Sequence, residues 1–285
     1  MSDTHAASSS AFAAGQGTGA TRLFIALDVD GTVLHEDGTL SLSVVDEIRR
    51  VAALGHIVTL ATGRSWETTR PVLEDLGLTP EYVVCANGAL VLKRNEAEEG
   101  GYERFFTETF DPTEVLLTIR SHLAEGSYMV EYPDGFRRYT AGMTDWNLDR
   151  AEEVPFEDLV TSPVTRVVVV SPSHDEADFL RIVEQMGLQQ VSYAIGWTAW
   201  LDIAPKGVNK ATALEHVREW LDVDRSQVIA VGDGRNDIDM LQWAGVEGRG
   251  VAMGQAPDEV REIASEVTGS VTEDGLSQLL MSISA

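Results

Sequence analysis

The stretch Leu23-Phe24-Ile25-Ala26-Leu27-Asp28-Val29-Asp30-Gly31-Thr32 decides the fold. Five apolar residues in a row, without polar alternation, fit a strand buried on both faces of a parallel sheet. The run stops at two carboxylates, as such a strand does at its carboxyl end, where open α/β sheets bind ligands. Leu42, Val45, Ile48 and Val51/Ala52 then recur at helical spacing, and Gly55 closes that helix. The pattern repeats with an apolar strand over 57–61, the turn Thr62-Gly63-Arg64, and a helix through Leu76 closed by Gly77. A third apolar run, 82–86, precedes Asn87-Gly88. Strand, helix, strand, helix, strand predicts a doubly wound, Rossmann-like α/β core with a parallel sheet.

From Ala89 the texture changes. Strand-like stretches at 90–93, 128–132, 136–139, 166–170 and 200–203 alternate with helical ones at 113–123 and 176–186. The turn Pro133-Asp134-Gly135 joins two of the strands and predicts antiparallel pairing. The α/β rhythm returns after Asn209, with strands at 227–231 and 250–253 and a helix from Asn236. The expected organisation is a core over 21–88 and 205–285, interrupted by an α+β cap over 89–204. Residues 1–20, rich in Ala, Ser, Gly and Thr, read as a disordered tail.

The 285 residues carry 21 Lys and Arg against 46 Asp and Glu, a net charge of −25. That balance argues against a general nucleic-acid binder, which needs a basic face, and against an anionic membrane surface. No apolar stretch approaches the ~18 residues of a membrane helix. The first residues hold neither Lys nor Arg and resemble no secretory or transit signal, so a cytoplasmic location is expected. An anionic substrate would need local positive charge from a metal ion or from a few placed Lys and Arg. The single cysteine, Cys85, excludes an internal disulfide, and within Tyr82-Val83-Val84-Cys85-Ala86 it reads as a small buried hydrophobe.

Asp28 and Asp30 stand at i and i+2 on an extended chain, so both carboxylates can face one site, with Thr32 placed to donate to one of them. Alone, such a pentapeptide could be a solvated loop. A second buried strand ends in Gly232-Asp233-Gly234-Arg235-Asn236-Asp237, whose Asp233 and Asp237 can face the first pair across a strand-to-helix turn. Carboxylates from two strand ends, without His or Cys, make a hard-oxygen site suited to Mg²⁺.

These residues resemble, in order, the four motifs of the haloacid dehalogenase superfamily. They are Asp28-Val-Asp-Gly-Thr, the strand end at Thr62-Gly63-Arg64, the helix-opening Asn209-Lys210-Ala211, and the Gly232–Asp237 loop. Ala86-Asn87-Gly88-Ala89, Gly250-Val251-Ala252-Met253-Gly254 and Glu273-Asp274-Gly275 extend the likeness to the Cof-type sugar-phosphatase branch. Gln255 departs from the branch's usual Asn, with a minor loop effect expected. The resemblance implies a Mg²⁺-dependent phosphatase acting on small phosphorylated metabolites, foremost sugar phosphates. Asp28 would be the nucleophile and Asp30 the general acid and base. Mg²⁺ would be held by Asp28, the Asp30 carbonyl and Asp233, with Asp237 ligating or orienting.

Thr62 and Lys210 would hold the phosphoryl oxygens, although Lys206, four residues earlier, could claim the lysine's role. Gly63, Arg64 and Asn236 are further candidates for substrate contact, Arg64 near the leaving group and Asn236 near phosphate or lysine. Of the pair Arg137-Arg138, strand alternation lets only one face inward. Trp66 reads as core packing, His35 takes no role, and the acidic run from Glu96 reads as a solvated turn. A phosphomutase on the same scaffold is the competing enzyme, and a phospho-accepting signalling module ranks behind it. The family default is a monomer, with a dimer as the alternative.

Overall fold

The computed structural model describes residues 22–98, 100–143, 148, 150–160, 163–188, 191–195 and 200–284; the expected tail lies outside them. The chain runs β1 (Phe24–Leu27), α1 (Leu42–Ala53), β2 (Ile57–Leu60), α2 (Trp66–Leu76), β3 (Tyr82–Cys85), β4 (Leu90–Arg94) and β5 (Tyr102–Thr107). It continues through α3 (Thr113–His122), β6 (Ser127–Glu131), β7 (Arg137–Tyr139), β8 (Ala151–Glu153), β9 (Arg166–Val170), α4 (Glu176–Met186), β10 (Val191–Ile195) and β11 (Trp200–Pro205). It closes with α5 (Lys210–Trp220), β12 (Val228–Gly232), α6 (Ile238–Gly245), β13 (Arg249–Ala252), α7 (Asp258–Ile263), β14 (Glu266–Val267) and α8 (Gly275–Met281).

The core is an α/β layer built on a parallel sheet of order β14-β13-β12-β1-β2. β1 lies between β12 and β2, in register Leu27 with Val231 and Leu27 with Leu60. Its apolar side chains alternate between two buried clusters. Ile25 and Leu27 pack under α1 and α2, while Phe24 and Ala26 pack under α5 and α6. This two-sided burial is why the strand is apolar throughout. It also sets the ends of β1 and β12 side by side.

β3 joins the sheet beyond β2 through one parallel bridge, Ala61 with Val84, and then pairs antiparallel with β4, which pairs with β5. Residues 90–107 therefore extend the core sheet past the boundary expected at Ala89. The physical reason is the open edge of β3: Leu90 and Leu92 fill the cluster that holds Leu73 and Leu76.

The insertion has its own sheet, β10-β11-β9-β6-β7-β8, antiparallel except for β7 with β8. Alternation sorts its residues by face. Tyr128, Val130, Val167, Val169, Leu201 and Ile203 pack under α3 and α4. Glu131, Arg166 and Asp202 lie on the other face, buried against the core. Arg137, opposite Glu131, is buried with them, whereas Arg138 is 34% exposed.

Candidate active site

The site forms where β1 and β12 end together. The Asp28 N–H donates to the Val231 carbonyl at 2.9 Å, which carries the ladder one step past β1 and lifts the Asp28 carboxylate above the sheet edge. Gly31 adopts φ +73°, a left-handed turn that glycine takes without strain. A Cβ at Gly31 would overlap the Asp233 carboxylate, so the two loops touch only because position 31 lacks a side chain. Asp237 turns back under its own loop: its Oδ2 accepts the backbone N–H groups of Asp233 at 3.0 Å and Gly234 at 2.9 Å.

Lys210 opens α5. The Asn209 side chain caps that helix, accepting from the Thr212 N–H at 2.9 Å, while the Thr212 hydroxyl receives the Asn209 N–H in return. This fixes the first turn and aims the lysine inward. Lys210 Nζ, fully buried, donates to Asp28 Oδ1 and to Asp237 Oδ1, both at 2.6 Å. Lys206, by contrast, is exposed in the turn before the helix.

Burial in an apolar setting raises the Asp28 carboxyl well above the usual range, and the Asp237 and Asp233 charges push it the same way against the pull of Lys210. Burial, then Asp237, lifts Asp233 to about 7. Burial opposes the charge on Lys210, but Asp237 and Asp28 outweigh it and hold the ammonium protonated. Three buried carboxylates thus face one ammonium, an excess of two negative charges. Oxygens of Asp28, Asp233 and Asp237 lie within 4.8 Å of one another. A hard divalent cation fits this donor set, since it would balance the excess with the ligands it prefers. Asp237 already accepts three hydrogen bonds, which leaves Asp28 and Asp233 as the freer donors.

Asp30 is placed differently from its partner. Its side chain is 61% exposed and receives Arg64 Nε at 2.8 Å and Nη2 at 2.5 Å in a forked pair. Thr62 is buried at the end of β2, and its hydroxyl accepts the Arg64 N–H at 3.1 Å. Gly63 packs against the Asn87 amide. The expected bond from Thr32 is absent: its hydroxyl is buried without a hydrogen-bond partner among the described residues. Trp66 is half-buried against the core, its ring tilted at 54° to that of Tyr102 with centroids 5.1 Å apart.

Asn236, expected near phosphate or lysine, bonds instead to Asn87, and through it to residues of the cap that the sequence does not single out. Asn236 Nδ2 donates to Asn87 Oδ1 at 3.0 Å, and Asn87 Nδ2 donates to Asp202 Oδ2 at 2.6 Å. Arg166 Nε donates to Asp202 Oδ1 at 2.8 Å. A polar chain, buried from Asn87 onward, therefore runs from the Gly232–Asp237 loop into the cap sheet. Arg137 and Arg104 add further bridges, each reaching Glu67, and Arg104 also lies 3.6 Å from Glu131. The available signal was a charged residue set in an apolar strand, as in Trp200-Leu201-Asp202-Ile203. Gln255 does more than shape its loop, as its Nε2 donates to the Gly31 carbonyl at 2.6 Å.

Comparison with known proteins defines the class. A family profile described as haloacid dehalogenase-like hydrolase matches residues 25–280, and the chain belongs to that family. Within it the chain is a Cof-type enzyme, a phosphoric monoester hydrolase. A Bacillus subtilis relative, the 5-amino-6-(5-phospho-D-ribitylamino)uracil phosphatase YitU, is 28% identical over 264 residues, covering 90% of this chain and 95% of its own. A putative phosphatase of Haemophilus influenzae is 26% identical over 265 residues, covering 89% and 95%. Among solved structures, the subclass IIB sugar phosphatase BT4131 superposes with a TM-score of 0.75 at 21% identity, over 91% of this chain and 98% of that one.

Proposed function

We propose that the protein is a Mg²⁺-dependent phosphatase of small phosphorylated metabolites, foremost sugar and sugar-alcohol phosphates, working through a phosphorylated Asp28. The observation that carries this reading is Lys210, buried between Asp28 and Asp237 where two parallel strands end. A carboxylate in that position is aimed by an ammonium and closed off from water on its core side. The phosphorylated-sugar part rests on relatives: YitU and a second Bacillus subtilis relative, YcsE, 28% identical, are named for a phosphoribityl substrate.

In this mechanism an Asp28 oxygen attacks phosphorus and the bond to the ester oxygen breaks. Asp30 delivers a proton to the departing oxygen, turning inward from Arg64 to reach it. Water then attacks the phosphorus of the acyl phosphate, Asp30 takes its proton, and Asp28 is released with inorganic phosphate. Lys210 and the Thr62 hydroxyl hold the non-bridging oxygens, where negative charge builds. Asp28, the Asp30 carbonyl and Asp233 would hold Mg²⁺, with Asp237 orienting Lys210 and the loop; the ion supplies charge neutralisation between two anions. Asn236 and Gly63 line the phosphate side of the site and Arg64 its mouth.

The direct experiment is phosphate release from a panel of sugar phosphates, a ribityl phosphate and an aryl phosphate, with Mg²⁺ or with EDTA. Release that needs Mg²⁺ and vanishes in Asp28→Asn is the expected result. Turnover that survives that substitution would overturn the assignment of the nucleophile.

A further inference from the structure

Gln255 lies in the loop between β13 and α7, outside the motifs of the site. Its Nε2 donates to the Gly31 carbonyl at 2.6 Å and to Asp233 Oδ2 at 3.3 Å, and its Oε1 accepts the Val271 backbone N–H at 2.9 Å. These bonds use both amide hydrogens and the amide oxygen, so they also settle which way the amide faces. Turned over, its oxygen would confront a carbonyl and a carboxylate, and its nitrogen would confront an N–H. A Cβ at Gly31 would fall on that same oxygen, so the Gly31 backbone also closes on the Asp233 carboxylate. One amide thus ties together three segments: the loop carrying Asp28, the loop carrying Asp233, and the turn at Val271.

We infer that Gln255 is a positioning residue for the cation. It holds the rotation of the Asp233 carboxylate and its distance from the Asp28 loop, so the oxygens that would ligate Mg²⁺ are arranged before the ion arrives. Hydrogen-bonded partners of ligating carboxylates commonly govern metal affinity in this way. The inference rests on the Mg²⁺ reading above.

The test is Mg²⁺ binding to the full chain by titration calorimetry, beside the Mg²⁺ dependence of phosphate release. Gln255→Met keeps length and volume but removes the bonds. It is expected to bind Mg²⁺ about tenfold more weakly. The Mg²⁺ concentration for half-maximal rate should rise by the same factor, while KM for the ester at saturating Mg²⁺ stays within about twofold. Gln255→Leu, which also lacks the amide, is the second variant should the first fail to fold, with the same loss of about tenfold expected. A folded variant whose Mg²⁺ affinity stays within twofold of the parent would overturn the inference. Absence of Mg²⁺ binding by the parent protein would overturn the Mg²⁺ reading and this inference together.

Discussion

At the scale of single residues, the site is governed by one ammonium among carboxylates. Lys210→Met removes the ammonium that, among the described residues, pairs with a buried group of three acids. Breaking a buried pair commonly costs 3–5 kcal/mol, so a loss of about 3 kcal/mol in denaturant unfolding of the metal-free protein is expected. Phosphate release should fall by roughly 10²–10³-fold. Asp233 gives a second prediction. Its carboxyl is lifted to about 7, and a metal ligand must be deprotonated. Mg²⁺ affinity should therefore weaken by roughly tenfold per pH unit below that value, and calorimetry across pH 5.5 to 8.5 measures it. An affinity flat across the range would show that no ligand of the ion titrates there and would overturn the lifted Asp233 carboxyl as its cause.

At the scale of elements, the fold depends on loops that meet without side chains between them. Gly31→Ala places a methyl group against the Asp233 carboxylate and demands a left-handed residue other than glycine. A stability loss of about 1–3 kcal/mol and severe loss of phosphate release are expected. Normal kinetics in that variant would show that the two loops can part without consequence. The strands bearing Asp28 and Asp233 were legible in the sequence because complete burial forces an unbroken apolar run ended by charge. The sequence left Lys206 and Lys210 as alternatives, because a cap marks where a helix starts but not which lysine is buried; in the structure Lys210 is buried and Lys206 exposed. The β4–β5 hairpin was not legible, since an apolar edge strand reads alike whether it pairs with the core or with an insertion. The isolation of Thr32 and the grip of Gln255 were also hidden. Both depend on contacts between segments far apart in sequence, and no spacing rule encodes them.

At the scale of the whole molecule, charge and metal act together on stability. With Asp233 near 7 in the folded state and an ordinary Asp near 3.9 when unfolded, the folded protein binds more protons between those values. Stability of the metal-free protein therefore declines as pH rises through that window, by an amount on the order of 4 kcal/mol. Asp28, shifted the same way, adds to the slope. Thermal melting in EDTA should fall from pH 5 to pH 8, Mg²⁺ should restore more at pH 8, and Asp233→Asn should flatten both trends. Melting curves unaffected by that substitution would contradict the account.

The covalent crossings between core and cap meet at one place. Phe106 and Glu108 on the way out, and Pro205 through Val208 on the way back, line a single cavity of about 300 Å³ beside α5. The insertion thus leaves and rejoins the core at one hem, while Asn87 with Asp202 and Glu67 with Arg137 stitch the two together a second time. A module joined in this way can be exchanged for another without rethreading the strands that end at Asp28 and Asp233, provided both halves of those stitches travel with it.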